Sequence, residues 1–543
     1  MPAWPSATLL KRIDWGLLLL FLALVYLLLT RPPIGMIGLS SVEDDFYYYV
    51  LVARHILAGD GSTFNGLVAT NGYHPLWLLV MVVVQLFVHT LTGIIQTTYI
   101  LIAVAVLCTY RAARGIFLYF SSNRLCFSSN RWIADCSALL VAIWAAGYFR
   151  TGMEIILALP LALFLLLSLL RSADPPPPMG LCGQAFLASM MVLARLDAAL
   201  LVLLLVLFLA FDPACRRGLT LRHAIALLAG SAPLILYVFI NLALFGTVMP
   251  VSGQAKQLRI GHHPSAAVFT WTWLDTCQRM PLVVALLGLA WLLLMHRRLP
   301  SRMRAILFAA VLFPLLQFGL LSMLSDWPSW MWYYYSFVIA SCAALAVLFG
   351  DKTSLRLMNR AAVAVPLLSV AIVLSAISLN HNFLRRADGK PYDSVSAAAF
   401  LQTFAATHPG IYAIGDRSGI AAVSINDPVV QTEGLIMDKN FIGHIRRREN
   451  LLSVLRSYGV RYYVGVIYAF HPPYELKQVD GCFLASEPVL AGPASPRMQA
   501  KICAPPVAAA QFSRSRVLIF DLAQLPESPS VNPSMSAAAS QSK

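Results

Sequence analysis

Charge is scarce in this 543-residue chain, and negative charge is scarcest. Only 12% of residues are charged, and 25 Asp and Glu stand against 40 Lys and Arg. A soluble globule carries roughly twice that charged share, so the class is excluded. With 59% hydrophobic residues and a mean hydropathy of +0.71, the chain is an integral membrane protein in contact with a lipid bilayer. None of the nine cysteines forms a Cys-x-x-Cys pair or a Cys/His cluster with zinc spacing, which excludes a structural zinc of that kind. The basic excess falls in short clusters between apolar runs, a pattern of membrane topology and not of a nucleic-acid-binding face. Mid-span acids and internal repeats are missing too, against a secondary transporter.

What is present is a series of apolar runs. Those at 15–30, 94–110, 132–148, 155–170, 181–193, 198–211, 224–240, 282–295, 305–324, 333–349 and 361–379 predict about eleven spans. Basic clusters at 111–131, 216–223, 296–304 and 352–360 are expected to face the cytoplasm. Lys11 and Arg12 ahead of the first run predict an uncleaved anchor with a cytoplasmic N-terminus. The run 75–88 is too short to span and predicts a half-inserted helix on the outer side, starting at His74-Pro75. Residues 1–379 thus form a membrane module whose outer loop is 31–92. Beyond 379 the composition becomes mixed, with strand patterns at 411–415, 428–430 and 462–467 and helical patterns at 395–406 and 450–458. This predicts an extracytoplasmic α/β domain over 380–525, followed by a disordered Ser/Ala/Pro-rich tail at 526–543. Cys482 and Cys503 alone share that domain, where an oxidising compartment would pair them.

The sparse acids are not scattered. Glu43, Asp44 and Asp45 stand together in Ser41-Val-Glu-Asp-Asp-Phe-Tyr-Tyr-Tyr-Val50, just after the first apolar run. A solvated loop is the plain reading; carboxylates held at a membrane edge are the functional one. The following aromatic run predicts a helix lying at the interface, with its acids at the water boundary.

Taken with Thr70-Asn-Gly-Tyr-His-Pro-Leu-Trp77, this run resembles the first outer loop of the GT-C class of membrane glycosyltransferases, including the protein O-mannosyltransferases and aminoarabinose transferases. Thr151-Gly-Met-Glu154 is similar to their second-loop acid motif, and Ala194-Arg-Leu-Asp197 to their Arg-Pro-Glu turn, with charge kept and proline lost. Asn241, Phe245-Gly246, Pro250, Ser252 and Lys256 look like the stretch that ends in the family's lysine. The aromatic motif Trp330-Met-Trp-Tyr-Tyr-Tyr335 lacks the arginine often found there.

The resemblance implies a GT-C-like, α-helical polytopic membrane protein with a C-terminal extracytoplasmic α/β domain, expected in a bacterial inner (plasma) membrane. It implies transfer of a hexosyl or pentosyl group from a polyprenyl-phosphate-sugar donor to an acceptor whose identity the motifs leave open. Asp45, with Asp44 close behind, would be the catalytic carboxylate that accepts the acceptor's proton; Glu43 and Glu154 would support the acceptor or hold a divalent cation, Mg or Mn. Lys256, Arg195 and Arg150 are the cations for the donor phosphate, and Tyr48, His74, Asp197, Trp330 and Tyr333 would position substrates. Each has a plainer reading: Arg195 with Asp197 as an ion pair bracing two spans, Arg150 as a snorkelling side chain, His74 as a helix-start hydrogen bonder, the Trp330 cluster as an interfacial belt. The runner-up function is a lipid-linked sugar flippase or polysaccharide polymerase. Nucleic acid is not an expected partner.

Overall fold

A computed structural model describes residues 42–122, 131–173, 175–211, 220–261, 263–270, 274, 276–350, 370–372, 374, 393–468 and 476–525. The first and last expected spans, the domain boundary at 380 and the tail therefore lie outside the described residues, apart from 370–372 and 374. Within them the chain runs through α1 (Asp44–Ala58), α2 (Pro75–Phe87), α3 (Leu91–Ser122), α4 (Arg131–Phe149), α5 (Ile155–Arg171), α6 (Pro178–Ala194), α7 (Ala199–Ala210) and α8 (Leu221–Phe245). It continues with α9 (Val251–Lys256), α10 (Thr276–Met295), α11 (Ser301–Leu324) and α12 (Tyr335–Gly350).

Helices α3 to α8 and α10 to α12 occupy the ranges expected to span. Four segments, in α3, in α8, in α11 and at Met331–Leu348, are long and apolar enough to cross a bilayer by themselves, and the shorter apolar helices pack among them. Along α8 the side chains of Leu228, Leu236, Phe239 and Leu244 are all 60% or more exposed. Exposed apolar surface of that extent on a helix long enough to cross a bilayer is suited to contact with lipid. Prolines inside α5, α8, α10 and α11 fit the same setting, since neighbouring groups take up carbonyls in the turn before the proline: the Tyr148 hydroxyl donates to the Gln278 carbonyl, three residues ahead of Pro281, at 2.7 Å. Helix α3 runs past its expected end and takes in Arg111 and Arg114, the latter paired with Asp135 of α4.

Two helices bear on the acidic motif. The short α2 starts with Pro75 at its first position. Helix α1 carries Asp44 and Asp45 in its first turn, where the helix dipole favours acids, and ends at Gly59 in the left-handed region. Its aromatic run is covered by protein, which the sequence did not lead one to expect. All eight residues from Phe46 to Ala53 are buried, because the run is apolar on every face and such a helix goes inside.

What covers α1 is the C-terminal domain. It comprises α13 (Asp393–Ala405), β1 (Ile411–Ile414), α14 (Ser418–Ser424), β2 (Val429–Gln431), α15 (Lys439–Arg447), α16 (Leu451–Ser457), β3 (Val460–Tyr468), β4 (Leu476–Val479), β5 (Cys482–Glu487), β6 (Met498–Ile502), β7 (Ala508–Gln511) and β8 (Ser515–Asp521). The main sheet has the order β2-β1-β3-β8-β7, with β1 parallel to β2 and β3, and β8 antiparallel to both its neighbours. Period-two alternation sends Tyr412, Ile414, Tyr462, Val464, Val517 and Ile519 to one face. Ala413, Tyr463, Leu518 and Phe520 go to the other, against α15 and α16. The first face belongs to the same continuous core as Phe46, Tyr48 and the membrane helices. A second, antiparallel sheet, β4-β5-β6, holds the bond between Cys482 and Cys503.

Candidate active site

The acidic motif sits where the membrane helices meet the C-terminal domain, and its two aspartates face different partners. Asp44 turns both carboxylate oxygens to the start of α14, accepting from Gly419 N at 3.0 Å and Ile420 N at 2.8 Å. Arg417, in the left-handed region at φ 66°, aims those N–H groups. A Cβ on Gly419 would fall 2.4 Å from the Asp44 carbonyl oxygen, so only glycine permits the approach. Burial pushes the Asp44 carboxyl up to about 6, against the pull of those two N–H groups. Asp45, half-buried, accepts no hydrogen bond among the described residues. Burial raises it further, to about 7; the charge of Lys256 draws it down, while Asp44, Glu154 and Asp416 push it up.

Lys256 closes α9, and the first loop fixes that helix. Asn71 Oδ1 accepts from Val251 N at 3.0 Å, and Asn71 Nδ2 donates to Asn241 of α8 at 3.3 Å. The ammonium donates to the Tyr333 hydroxyl at 3.0 Å.

Beneath lies a buried ionic layer. Arg195 is 2% exposed and Glu154 1%, and the guanidinium binds Glu154 and, through Nε, Asp197 at 2.9 Å. Glu154 also accepts from the Tyr49 hydroxyl at 3.2 Å, with His74 Nε2 3.6 Å away. Asp197 takes Gln317 Nε2 at 2.6 Å and the Tyr335 hydroxyl at 3.2 Å. Arg195 packs over the rings of Tyr333 and Tyr335, 4.5 and 5.0 Å from their centroids. Two carboxylates on one cation compensate a charge that would be costly to bury alone.

The other expected residues take lesser places. Tyr48 pairs its hydroxyl with Ser418 Oγ at 3.1 Å, tying α1 to α14. His74 starts α2 and accepts from Leu196 N at 3.2 Å through Nδ1. Glu43 precedes α1 without a side-chain capping bond. Arg150 donates from Nε to the Gly147 carbonyl of its own helix, and Trp330 stacks on Trp332 with centroids 5.9 Å apart.

Two of the acids that a divalent cation would use are already engaged. Both Asp44 oxygens are taken by backbone N–H groups and Glu154 is taken by Arg195 and Tyr49. Among the described residues no three His, Cys, Asp or Glu side chains converge.

No protein-family model matches the chain, and no curated protein does. Among solved structures, ArnT from Cupriavidus metallidurans bound to undecaprenyl phosphate aligns over 93% of this chain and 98% of its own, with a TM-score of 0.50 and 15% sequence identity. The chain has the fold of a GT-C membrane glycosyltransferase. The apo state of the same ArnT covers 84% of this chain and 93% of its own, with a TM-score of 0.47 and 14% identity. An Archaeoglobus fulgidus oligosaccharyltransferase tethered with an acceptor peptide containing the NVT sequon aligns over 82% of this chain and 68% of its own, with the same score and identity.

Within this GT-C fold the C-terminal domain contributes a residue that sequence reasoning missed. Glu433, just after β2, is 2% exposed; Gln431 Nε2 donates to its Oε2 at 3.1 Å, and Oε1 has no partner. Burial raises its carboxyl well above the usual range, with Asp416, Glu487 and Asp45 adding to the rise. Its neighbours are locked to the first loop. Thr70 Oγ1 donates to the Met437 carbonyl at 2.8 Å, and a Cβ on Gly72 would lie 2.1 Å from the Leu435 carbonyl oxygen. Nothing local in 429–437 marked it, because what sets it apart is burial beside acids from separate segments, Asp416, Glu487 and Asp45.

Proposed function

We propose that the protein transfers a glycosyl group from a polyprenyl-phosphate-linked donor to an acceptor nucleophile, on the membrane face that carries the C-terminal domain. The observation that carries this reading is the division between the aspartates. Asp44 is committed to α14, while Asp45 keeps its oxygens unbonded opposite Lys256. A carboxylate beside a cation at a membrane edge suits a substrate with its chain in lipid and its phosphate at the interface. The shared fold with an ArnT that binds undecaprenyl phosphate supports the same substrate class.

In this mechanism the Asp45 carboxylate takes the proton of the acceptor as the acceptor oxygen or nitrogen attacks the anomeric carbon. The bond from that carbon to the phosphate oxygen breaks, and the electron pair leaves on the lipid phosphate. Lys256, held by Tyr333, is the cation that would bind the donor phosphate before and during that step. Arg195 is neutralised by Glu154 and Asp197, so it acts as a brace for Tyr333 and Tyr335 and not as the phosphate cation. No step passes through a metal, and incubation with EDTA is expected to leave turnover unchanged. A loss restored by Mg or Mn would contradict that step. The membrane is expected to be a bacterial inner membrane, with the domain outside.

The test is transfer of a labelled sugar from a purified polyprenyl-phosphate donor in proteoliposomes. Asp45→Asn is expected to lower turnover by about 10²- to 10⁴-fold, the usual worth of a general base. Turnover at the parental rate would remove Asp45 from the chemistry and bring the flippase reading forward.

A further inference from the structure

Away from the acids lies a groove of about 920 Å³, bounded by the first loop at Leu67 and Val68, by Gln254 of α9 and by α15. Helix α9 stands between two environments, with Lys256 in the Asp45 site and Gln254 in the groove wall. Helix α15 is sharply two-sided: Phe441, Ile442 and Ile445 are buried in the domain. Lys439, Arg446 and Arg447, at i, i+7 and i+8, lie along the groove on one stripe.

Not all of that charge is available. His444 Nδ1 meets Glu449 at 2.6 Å, and Arg447 pairs with the same carboxylate. The one acid in the groove wall, Asp438, is occupied, accepting from Phe441 N at 2.9 Å and from the Tyr458 hydroxyl at 3.0 Å. Lys439 and Arg446, both exposed, have no partner among the described residues.

The position of Lys439 indicates what the groove meets. Its ammonium lies 3.2 Å from the point where a Cβ on Gly246 would sit, and Gly246 closes α8, the helix whose large apolar side chains are exposed. Leu244, Val248 and Met249 flank that point and are 70%, 50% and 40% exposed. Lys439 therefore stands beside the end of an apolar helix that is long enough to cross a bilayer.

We propose that this groove holds the phosphate headgroup of an anionic bilayer lipid, bound by Lys439 and Arg446 in a site separate from the Asp45 centre. The contact clamps the rim of the C-terminal domain to the membrane surface. It is a lipid site of structural consequence and does not depend on the chemistry proposed above.

The experiment is native mass spectrometry of the full-length protein in detergent, titrated with phosphatidylglycerol, with zwitterionic phosphatidylcholine and with inorganic phosphate. Lys439→Ala and Arg446→Ala are each expected to weaken phosphatidylglycerol binding about five-fold, and together about 30-fold, the usual worth of a basic residue near an anionic surface. The pair Arg448→Ala and Arg514→Ala removes the same charge from exposed positions outside the groove lining and is expected to change binding less than two-fold. Equal losses in the two double variants would overturn the site. Displacement of phosphatidylglycerol by equimolar inorganic phosphate would overturn the lipid as its occupant. Should the first pair fail to fold, Asn440→Glu adds an opposing charge from the groove wall, and unchanged lipid binding there would count against the proposal in the same way.

Discussion

At the scale of single residues, one helical step of about 100° divides two adjacent aspartates between architecture and chemistry. The pH dependence follows from the environment of Asp45. A base must be ionised, and Asp45 is pushed up to about 7, so kcat/KM is expected to rise about tenfold per pH unit below 7 and to level off above it. A pH–rate profile checks this, and the residual activity of Asp45→Asn should lose that limb. Stability runs the opposite way. The folded chain holds this proton more tightly than the unfolded one, whose carboxyl lies near 3.8, so Asp45 makes the fold less stable as pH rises from about 4 to 7. Asp45→Asn is therefore expected to melt higher than the parent at pH 8 while turning over more slowly. Lys256→Ala removes a contact present before and during reaction and should act mainly on donor KM, roughly 10-fold or more, in steady-state kinetics.

At the scale of elements, the joint between α1 and α14 is a carboxylate on two N–H groups with no room for a side chain. Gly419→Val would force the two backbones apart. Limited proteolysis should then cut within 406–428 at rates at least ten times the parental one, with a lower melting temperature. An unchanged digest would mean that the joint is not what seats the domain. The same elements show what the sequence could reveal. Residues 411–414, 429–431 and 460–468 were recognisable as strands because local alternation and β-branched residues carry that signal. The β4-β5-β6 sheet was not, since its short strands mix charged and polar residues with apolar ones and are organised by pairing and by the Cys482–Cys503 bond. Acids, lysine and aromatics of the site were legible as motifs. Their division of labour was not, because the partners of Asp44 are backbone N–H groups, which any sequence possesses. Glu433 and Gln317 escaped for a related reason: a single polar residue in a loop or a span has no pattern, and only the fold shows what it faces.

At the scale of the whole molecule, the domain and the membrane helices share one core instead of meeting across a wet interface. Rigid coupling is the expected behaviour. Reporter fusions at Gly350 and Lys390 are expected to fall on opposite sides of the membrane, as one intervening span requires; the same compartment for both would undo the proposed placement of the domain outside.

That shared core also sets a timetable for biosynthesis. Asp44 and the N–H group it binds on Ile420 are separated by 376 residues. The strand β8, inserted between β3 and β7, comes later still. At about 5–20 residues per second of synthesis, the acidic helix waits roughly 20 to 75 s in the membrane before its cover exists. Throughout that interval Asp44 is without the two N–H groups of Gly419 and Ile420 that its carboxylate binds in the finished fold. The division of labour between the two aspartates therefore begins only once α14 has been made and Asp44 has been drawn to it.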